Sequence, residues 1–300
     1  MPNAKGWIVA TALLAVASAV PGVGMTTRAL AAEKTRIVAA ENFYGDLAGE
    51  IGGEHVSVTS ILSNPDDDPH LFESSASTAK ALADAEIVIY NGADYDPWMD
   101  KLLSASTNPD RRTIVAADLT GRKSGDNPHL WYAPATLPAV AAALEAELEK
   151  RDGAHAAAFK QNLARFDASF AALMKQVDAI KSKYAGTEVT ATEPVFGYMA
   201  EALGFKMLNY EFQVATMNDT EPSPSQVAAF EKSLADGSAK VLFYNSQVTD
   251  ETTKRLLRLA EENKVPVVGV TETEPAGKTI PSWFGGQLHE VEQALAGLHK

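Results

Sequence analysis

Two Pro-His pairs, Pro69-His70 and Pro128-His129, are the residues of this chain best placed to do chemistry. The first closes the stretch Ser63-Asn64-Pro65-Asp66-Asp67-Asp68-Pro69-His70, which follows an alternating apolar run over 56–62 and precedes a helical pattern over 74–85. The second lies in Asp126-Asn127-Pro128-His129-Leu130-Trp131-Tyr132-Ala133-Pro134 and leads into a helical pattern over 136–150. Loops at strand ends form the edge of an α/β sheet where ligands bind. The prolines stiffen the approach to each imidazole and bias the preceding residue toward extended backbone. A single loop histidine is ordinarily a solvated polar residue, and the structural reading of His129 is one packed beside Trp131. Two of them on corresponding loop edges of one sheet can converge, which is how residues distant in sequence build a metal site.

Composition narrows the function classes. Three hundred residues, 46% of them hydrophobic, can bury a large core in two domains or one large one. A net charge of -13 and a pI near 4.9 argue against nucleic acid and against anionic membrane surfaces. With no cysteine in the sequence, thiolate metal sites, disulfides, cysteine nucleophiles and a lipobox anchor are all excluded.

The N-terminal residues read as a targeting segment. Lys5 supplies a positive start, the stretch 7–20 is apolar, and Ala29-Leu30-Ala31 has the small-x-small form of a cleavage site. Ala17-Ser18-Ala19 offers an earlier one. The apolar run falls short of the ~20 residues that a spanning helix needs. The expectation is a signal peptide over 1–31 and a soluble exported protein, periplasmic in a Gram-negative cell. Removing Lys5 and Arg28 leaves the mature chain more acidic still.

The elements that must position the two histidines alternate. Strands are predicted over 35–40, 56–62, 87–90 and 113–116, with helices between them, which means a parallel sheet covered on both faces. Residues 154–184 carry one long helical pattern, with Phe159, Leu163, Phe166, Phe170, Leu173, Val177 and Ile180 three or four apart. At about 1.5 Å per residue this helix is roughly 45 Å long. It is expected to be a rigid connector and not a core element of either half. Strands then recur over 188–192, 241–244 and 265–270, and Ser223-Pro224-Ser225-Gln226 has the form of a capping box. A closing helix is expected over 283–298. The fold class is therefore α/β: two lobes, each a parallel sheet flanked by helices, joined by one long backbone helix. The expected boundaries are 32–150, 151–185 for the linking helix, and 186–300. His55 is read as a polar strand-edge residue, and His289 and His299 as surface residues at the closing helix.

Pro69-His70, the segment Asn91-Gly92 through Pro97-Trp98, Asn127-Pro128-His129-Leu130-Trp131 with Pro134, the long helix and the segment 193–198 together resemble the zinc/manganese-binding receptors of ABC importers. The resemblance covers essentially the whole mature chain. It implies two α/β lobes holding one metal ion in the cleft between them, with one ligand from each of four loops. Carried over by position, His70 and His129 are the ligands of the first lobe. Glu193, preceding Phe196-Gly197-Tyr198, takes a position that is usually histidine in zinc members, and glutamate there resembles the manganese type. The fourth position falls on Glu272, with Glu274 two residues on. In an extended segment both would point to the same face, which leaves the choice open, although counting from the last strand favours Glu272. The family's histidine-rich loop is absent, and Asp66-Asp67-Asp68 stands in its place as a solvated acidic run or a weak cation-attracting lip.

Two neutral imidazoles and two carboxylates suit Mn²⁺, Fe²⁺ or Zn²⁺ better than Cu(I). Oxygen ligands favour Mn²⁺ and the affinity order favours Zn²⁺, so the choice between them is open. The expectation is a receptor delivering Zn²⁺ or Mn²⁺ to an ABC permease. A periplasmic metallochaperone is a further expected partner, and the protein is expected to be a monomer and not an enzyme. One alternative is a receptor for a metal chelate or other organic ligand, which would call for a wide basic or aromatic cleft. The other is a metallohydrolase, against which stands the lack of an H-E-x-x-H helix.

Overall fold

The computed structural model describes Asn3, residues 33–64, Phe72, residues 75–247 and residues 251–297. His70, the run Asp66-Asp67-Asp68, the leader segment and His299 lie outside the described residues.

The alternation of short apolar strands with amphipathic helices yields two parallel sheets. The first half runs β1 (Thr35–Glu41), α1 (Asn42–Gly52), β2 (Val56–Leu62), α2 (Ala76–Asp84), β3 (Ile87–Tyr90), α3 (Pro97–Ala105), β4 (Arg112–Val115), α4 (Ala116–Thr120) and α5 (Thr136–Arg151). The long helix α6 spans Ala156–Tyr184. The second half runs β5 (Glu188–Ala191), α7 (Gly197–Ala202), β6 (Lys206–Met207), α8 (Tyr210–Met217), α9 (Pro224–Ala235), β7 (Leu242–Asn245), α10 (Glu251–Glu262), β8 (Val267–Val270) and α11 (Ile280–Gly297). The strand orders are β2-β1-β3-β4 and β6-β5-β7-β8, the same winding in both halves. Every pair is parallel, as in Val38 with Val88 and Phe243 with Val268. This order reverses direction between β1 and β3, and between β5 and β7. At such switch points the loops leaving the strands' carboxyl ends part and open a crevice.

Local signals account for several helix ends. Ser223 accepts a hydrogen bond from the Gln226 N–H while the Gln226 side chain accepts from Ser223 N–H, completing the expected capping box. Pro97 opens α3 at a position where its missing N–H costs nothing. The closing helix begins at Ile280, three residues before the expected start, where the Ser282 hydroxyl accepts from the Thr279 N–H. The edge strand β6 and the helices α8 and α10 are additions to the elements expected from sequence. Strand β6 has only two residues, too few for a period-2 pattern to register. Helix α10 buries only Thr253, Leu256 and Ala260 in an otherwise charged segment.

The long helix differs from expectation in its packing. Phe159, Asn162, Phe166, Phe170, Leu173, Val177 and Ile180 form its buried stripe. That stripe packs against α1 and α5 of the first half and α11 of the second. It is thus a core element shared by both halves and not a free connector. One hydrophobic cluster continues from the first sheet through Trp131, Tyr132, Phe196 and Phe284 into the second. Tyr132 stacks on Phe284 with ring centroids 5.0 Å apart, and its hydroxyl donates to the Thr271 carbonyl at 2.9 Å. The sequence periodicity locates the stripe but is silent on whether neighbours cover it.

Two buried acids lie at the carboxyl end of the first sheet. Glu41 ends β1 fully buried and Asp96 precedes α3 with 2% exposure. Burial, and then the neighbouring Asp96 charge, push the Glu41 carboxyl well above its ordinary range. Burial likewise raises Asp96 to about 6, against the lowering effect of the Asn91 and Gly92 N–H groups that it accepts. Because both values are raised, the folded state holds protons that the unfolded chain has released. Stability is therefore fully present below the ordinary carboxylate range and is lost as pH rises through about 6 and beyond. Glu41→Gln cannot ionise, so its urea midpoint should fall less between pH 5 and 8 than the wild type's. Equal slopes for the two proteins would show that Glu41 is not the group responsible.

Candidate metal centre

The residues that meet at the crevice come from strand ends of the second sheet and from a loop of the first half. Glu193 stands two residues beyond β5, Asn245 is the last residue of β7, and Glu272 stands two residues beyond β8. His129 comes from the loop between α4 and α5, against a short 3₁₀ turn over Leu130–Tyr132. All four are buried: His129 and Glu272 fully, Asn245 to 1% exposure and Glu193 to 3%.

The tautomer of His129 follows from its neighbour. The Asn127 amide nitrogen donates to the Pro194 carbonyl at 2.8 Å, which turns the Asn127 carbonyl oxygen back toward its own loop. That oxygen accepts from the His129 backbone N–H at 3.1 Å and lies 2.7 Å from His129 Nδ1. Since the oxygen can only accept, Nδ1 carries the proton and Nε2 keeps its lone pair. His129 Nε2 has no hydrogen-bond partner among the described residues. It faces Glu272 Oε2 at 3.7 Å, too far for a hydrogen bond. Two donors each about 2.1 Å from one ion would be separated by a comparable distance. Asn127 thus fixes the tautomer and ring plane of His129 from outside, the arrangement in which an imidazole is set to bind a metal. Gly197 leaves room for it, since a Cβ there would lie 2.8 Å from the Asn127 amide nitrogen.

The carboxylates are aimed by neutral donors. The Asn245 amide donates to Glu193 Oε2 at 2.9 Å and to Glu272 Oε1 at 2.7 Å. The Tyr95 hydroxyl donates to Glu272 Oε2 at 3.0 Å, reaching from the first half of the chain to the second. Tyr95 follows three residues with positive φ: Gly92, Ala93 and Asp94. Ala93 and Asp94 are strained in that region, and the strain sits where the loop presents its hydroxyl. The Gln247 side-chain amide oxygen accepts from the Glu272 and Thr273 N–H groups and holds the backbone of the Glu272 loop. Tyr95 and Trp131 wall the imidazole, with ring centroids 5.9 and 5.4 Å from that of His129. In this dry setting a cation between imidazole and carboxylates is only weakly screened.

Glu274 does not share the face of Glu272, contrary to the expectation from alternation. Residues 271–275 are a bent loop beyond β8 and not a strand, so side chains two apart need not coincide. The Glu274 backbone instead pairs with Asn42, whose side chain accepts from its N–H at 3.0 Å and donates to its carbonyl at 2.8 Å. Burial, then the charges of Asp46 and Glu50 on α1, raise the Glu274 carboxyl to about 8. Glu274 belongs to the α1 surface.

Of the four residues singled out from sequence, His129, Glu193 and Glu272 meet in one crevice, while His70 falls outside the described residues. His129 and Glu272 stand at ligating separation, and Glu193 joins them through Asn245. Asn127, Tyr95 and Asn245 have no role in the sequence reading, although the first two lie in the motifs that carry the resemblance. Asn245 had one signal: a polar residue closing the apolar strand Leu242-Phe243-Tyr244.

Comparison with known proteins bears on this arrangement. The family model described as "Zinc-uptake complex component A periplasmic" (ZnuA) matches residues 37–294. The manganese-binding lipoprotein MntA of Bacillus subtilis is 26% identical, with 95% of this chain and 97% of the relative covered. Among solved structures, the periplasmic zinc binding protein TroA from Treponema pallidum matches with a TM-score of 0.74 at 18% identity, covering 87% of this chain and 99% of that one. A Mn-bound mutant of a periplasmic metal binding protein from Candidatus Liberibacter asiaticus matches with a TM-score of 0.70 at 18% identity, covering 86% and 98%. The two solved structures share the fold described above.

Proposed function

The chain belongs to the periplasmic zinc-uptake component A family, and from that premise we propose that it is a receptor for one divalent transition-metal ion, Zn²⁺ or Mn²⁺. It captures the ion in the crevice and passes it to the permease of an ABC importer. His70, His129, Glu193 and Glu272 are the proposed ligands. The observation that carries the reading is the His129 Nε2 lone pair facing Glu272 Oε2 across 3.7 Å. Asn127, which accepts from His129, and the donors Asn245 and Tyr95 hold that geometry. A set of two imidazoles and two carboxylates neutralises a dication and suits both metals. Among the relatives described above, one is named for zinc and two for manganese.

Residues 1–31 act in this reading as an export signal. The Bacillus subtilis relative is named a lipoprotein, whereas these 300 residues include no cysteine to carry a lipid. Among the described residues no helix is long and apolar enough to cross a membrane. A chelate receptor would need a wide basic or aromatic cleft, and the groups that converge here are an imidazole and two carboxylates.

Elemental analysis after chelator stripping and separate and competing titration with Zn²⁺ and Mn²⁺ tests this. One tight equivalent should bind in the crevice, and competition ranks the two ions. Absence of any stoichiometric binding would remove the receptor reading. The lobes should also close only modestly on the ion. Helix α6 is shared by both cores, and Asn127 with Pro194, Tyr198 with the Asn127 carbonyl, and Asn42 with Glu274 already bond across the crevice. Small-angle scattering of stripped and loaded protein should give nearly equal radii of gyration. A compaction of several per cent would contradict this.

A further inference from the structure

A second group of metal-ligand side chains lies away from the crevice. Among the described residues, His55, Asp152 and His155 are the only three His, Asp or Glu side chains whose donor atoms all lie within 4.8 Å of one another. His55 ends the 3₁₀ turn Gly53–His55, immediately before β2. Asp152 caps the carboxyl end of α5, and His155 ends the turn Gly153–His155 that opens α6. This is the amino edge of the first sheet, where β2 begins. Seven residues of β2, roughly 20 Å at about 3.3 Å each, separate it from the carboxyl edge.

The three side chains lie close together, and a shared ion would turn the two rings so that their in-plane lone pairs converge on it. The imidazoles of His55 and His155 stack with centroids 3.8 Å apart and planes 20° apart. His155 Nδ1 lies 2.6 Å from Asp152 Oδ2, a contact that needs one proton between the two atoms. The ring of Phe159, on the first turn of α6, meets His55 edge-on at 5.7 Å and fixes its plane from below. Side chains of Asp152 and His155 are 25% and 35% exposed, so an ion can reach them directly from solvent. Two nitrogens and one carboxylate oxygen are a borderline donor set that suits Zn²⁺ and Cu²⁺ above Mn²⁺.

We propose that His55, Asp152 and His155 form a second, peripheral binding site for Zn²⁺ or Cu²⁺, with solvent completing the coordination. An ion there takes the place of the proton shared by His155 and Asp152, and it ties the turn before β2 to the corner between α5 and α6. The site is independent of the crevice, and its consequence is a metal-dependent gain in stability that survives loss of crevice binding.

The probe is Cu²⁺ alone, added to stripped His129→Ala protein and to the same protein carrying His55→Ala or His155→Ala in addition. The His129→Ala protein should bind Cu²⁺ with an electron paramagnetic resonance spectrum showing nitrogen coupling, and its thermal midpoint should rise. Either added substitution should weaken that binding at least about tenfold, remove one coupled nitrogen and abolish the thermal shift. Both residues are part-exposed, and circular dichroism confirms that the variants fold. Unchanged affinity and spectrum in both added variants would overturn the site and assign the copper to other histidines. The crevice reading fails on a different result, equal Zn²⁺ or Mn²⁺ binding with and without His129, so the two failures are distinguishable.

Discussion

Replacing His129 with alanine should weaken tight crevice binding of Zn²⁺ or Mn²⁺ by at least about a hundredfold while leaving the fold intact. The imidazole is fully buried, and its Nε2 faces Glu272 without a hydrogen-bond partner among the described residues. Its removal takes away a neutral donor that Asn127 has already oriented, so no rearrangement cost is recovered elsewhere. The cavity it leaves should lower stability by about 1–3 kcal/mol, small enough to keep a protein of this size folded. Asn127→Ala should act in the same direction more weakly, about ten- to a hundredfold, by freeing the tautomer and the ring plane. Isothermal titration against a chelator of known affinity reads both. His129→Ala protein that binds as tightly as wild type would place the ion elsewhere.

The second large effect separates two glutamates only two residues apart. Glu272→Gln should reduce crevice affinity by a factor of about ten or more, whereas Glu274→Gln should leave it unchanged. Glu272 lies 3.7 Å from the His129 lone pair and is aimed by Asn245 and Tyr95. Losing its charge leaves the dication with less neutralisation in a buried site, where charge counts most. Glu274 faces Asp46 and Glu50, which with burial raise its carboxyl to about 8 and keep it largely neutral near pH 7. Parallel titrations of the two variants decide the matter. A loss in Glu274→Gln equal to that in Glu272→Gln would return both to the site.

Some of this was written plainly in the chain. Strands β1 and β3 appear as short apolar runs because central parallel strands are buried on both faces. The α6 stripe appears because its apolar residues recur at three and four. His129 stands out because it is the second Pro-His pair on a loop that leads into a helix. The assignments of Glu193 and Glu272 came from a resemblance across the whole chain, since two glutamates beyond strand ends carry no local signal of their own.

Sequence by itself determined the class: an acidic, cysteine-free, alternating α/β chain with a long helix between its halves and two Pro-His loops. Local chemistry suffices there, because periodicity, turn residues and composition are properties of neighbours in the chain. Tertiary structure alone decided that α6 is core to both halves, since its stripe is covered by α1, α5 and α11 from far along the sequence. It alone separated Glu272 from Glu274, because the loop after β8 bends and alternation holds only within a strand. It alone showed Asn245 clamping two carboxylates and Asn127 setting the His129 tautomer, with one amide reaching from each lobe to its task. It also brought His55 against His155 from a distant part of the chain. Such pairings depend on which elements pack side by side, and no spacing within the chain encodes them.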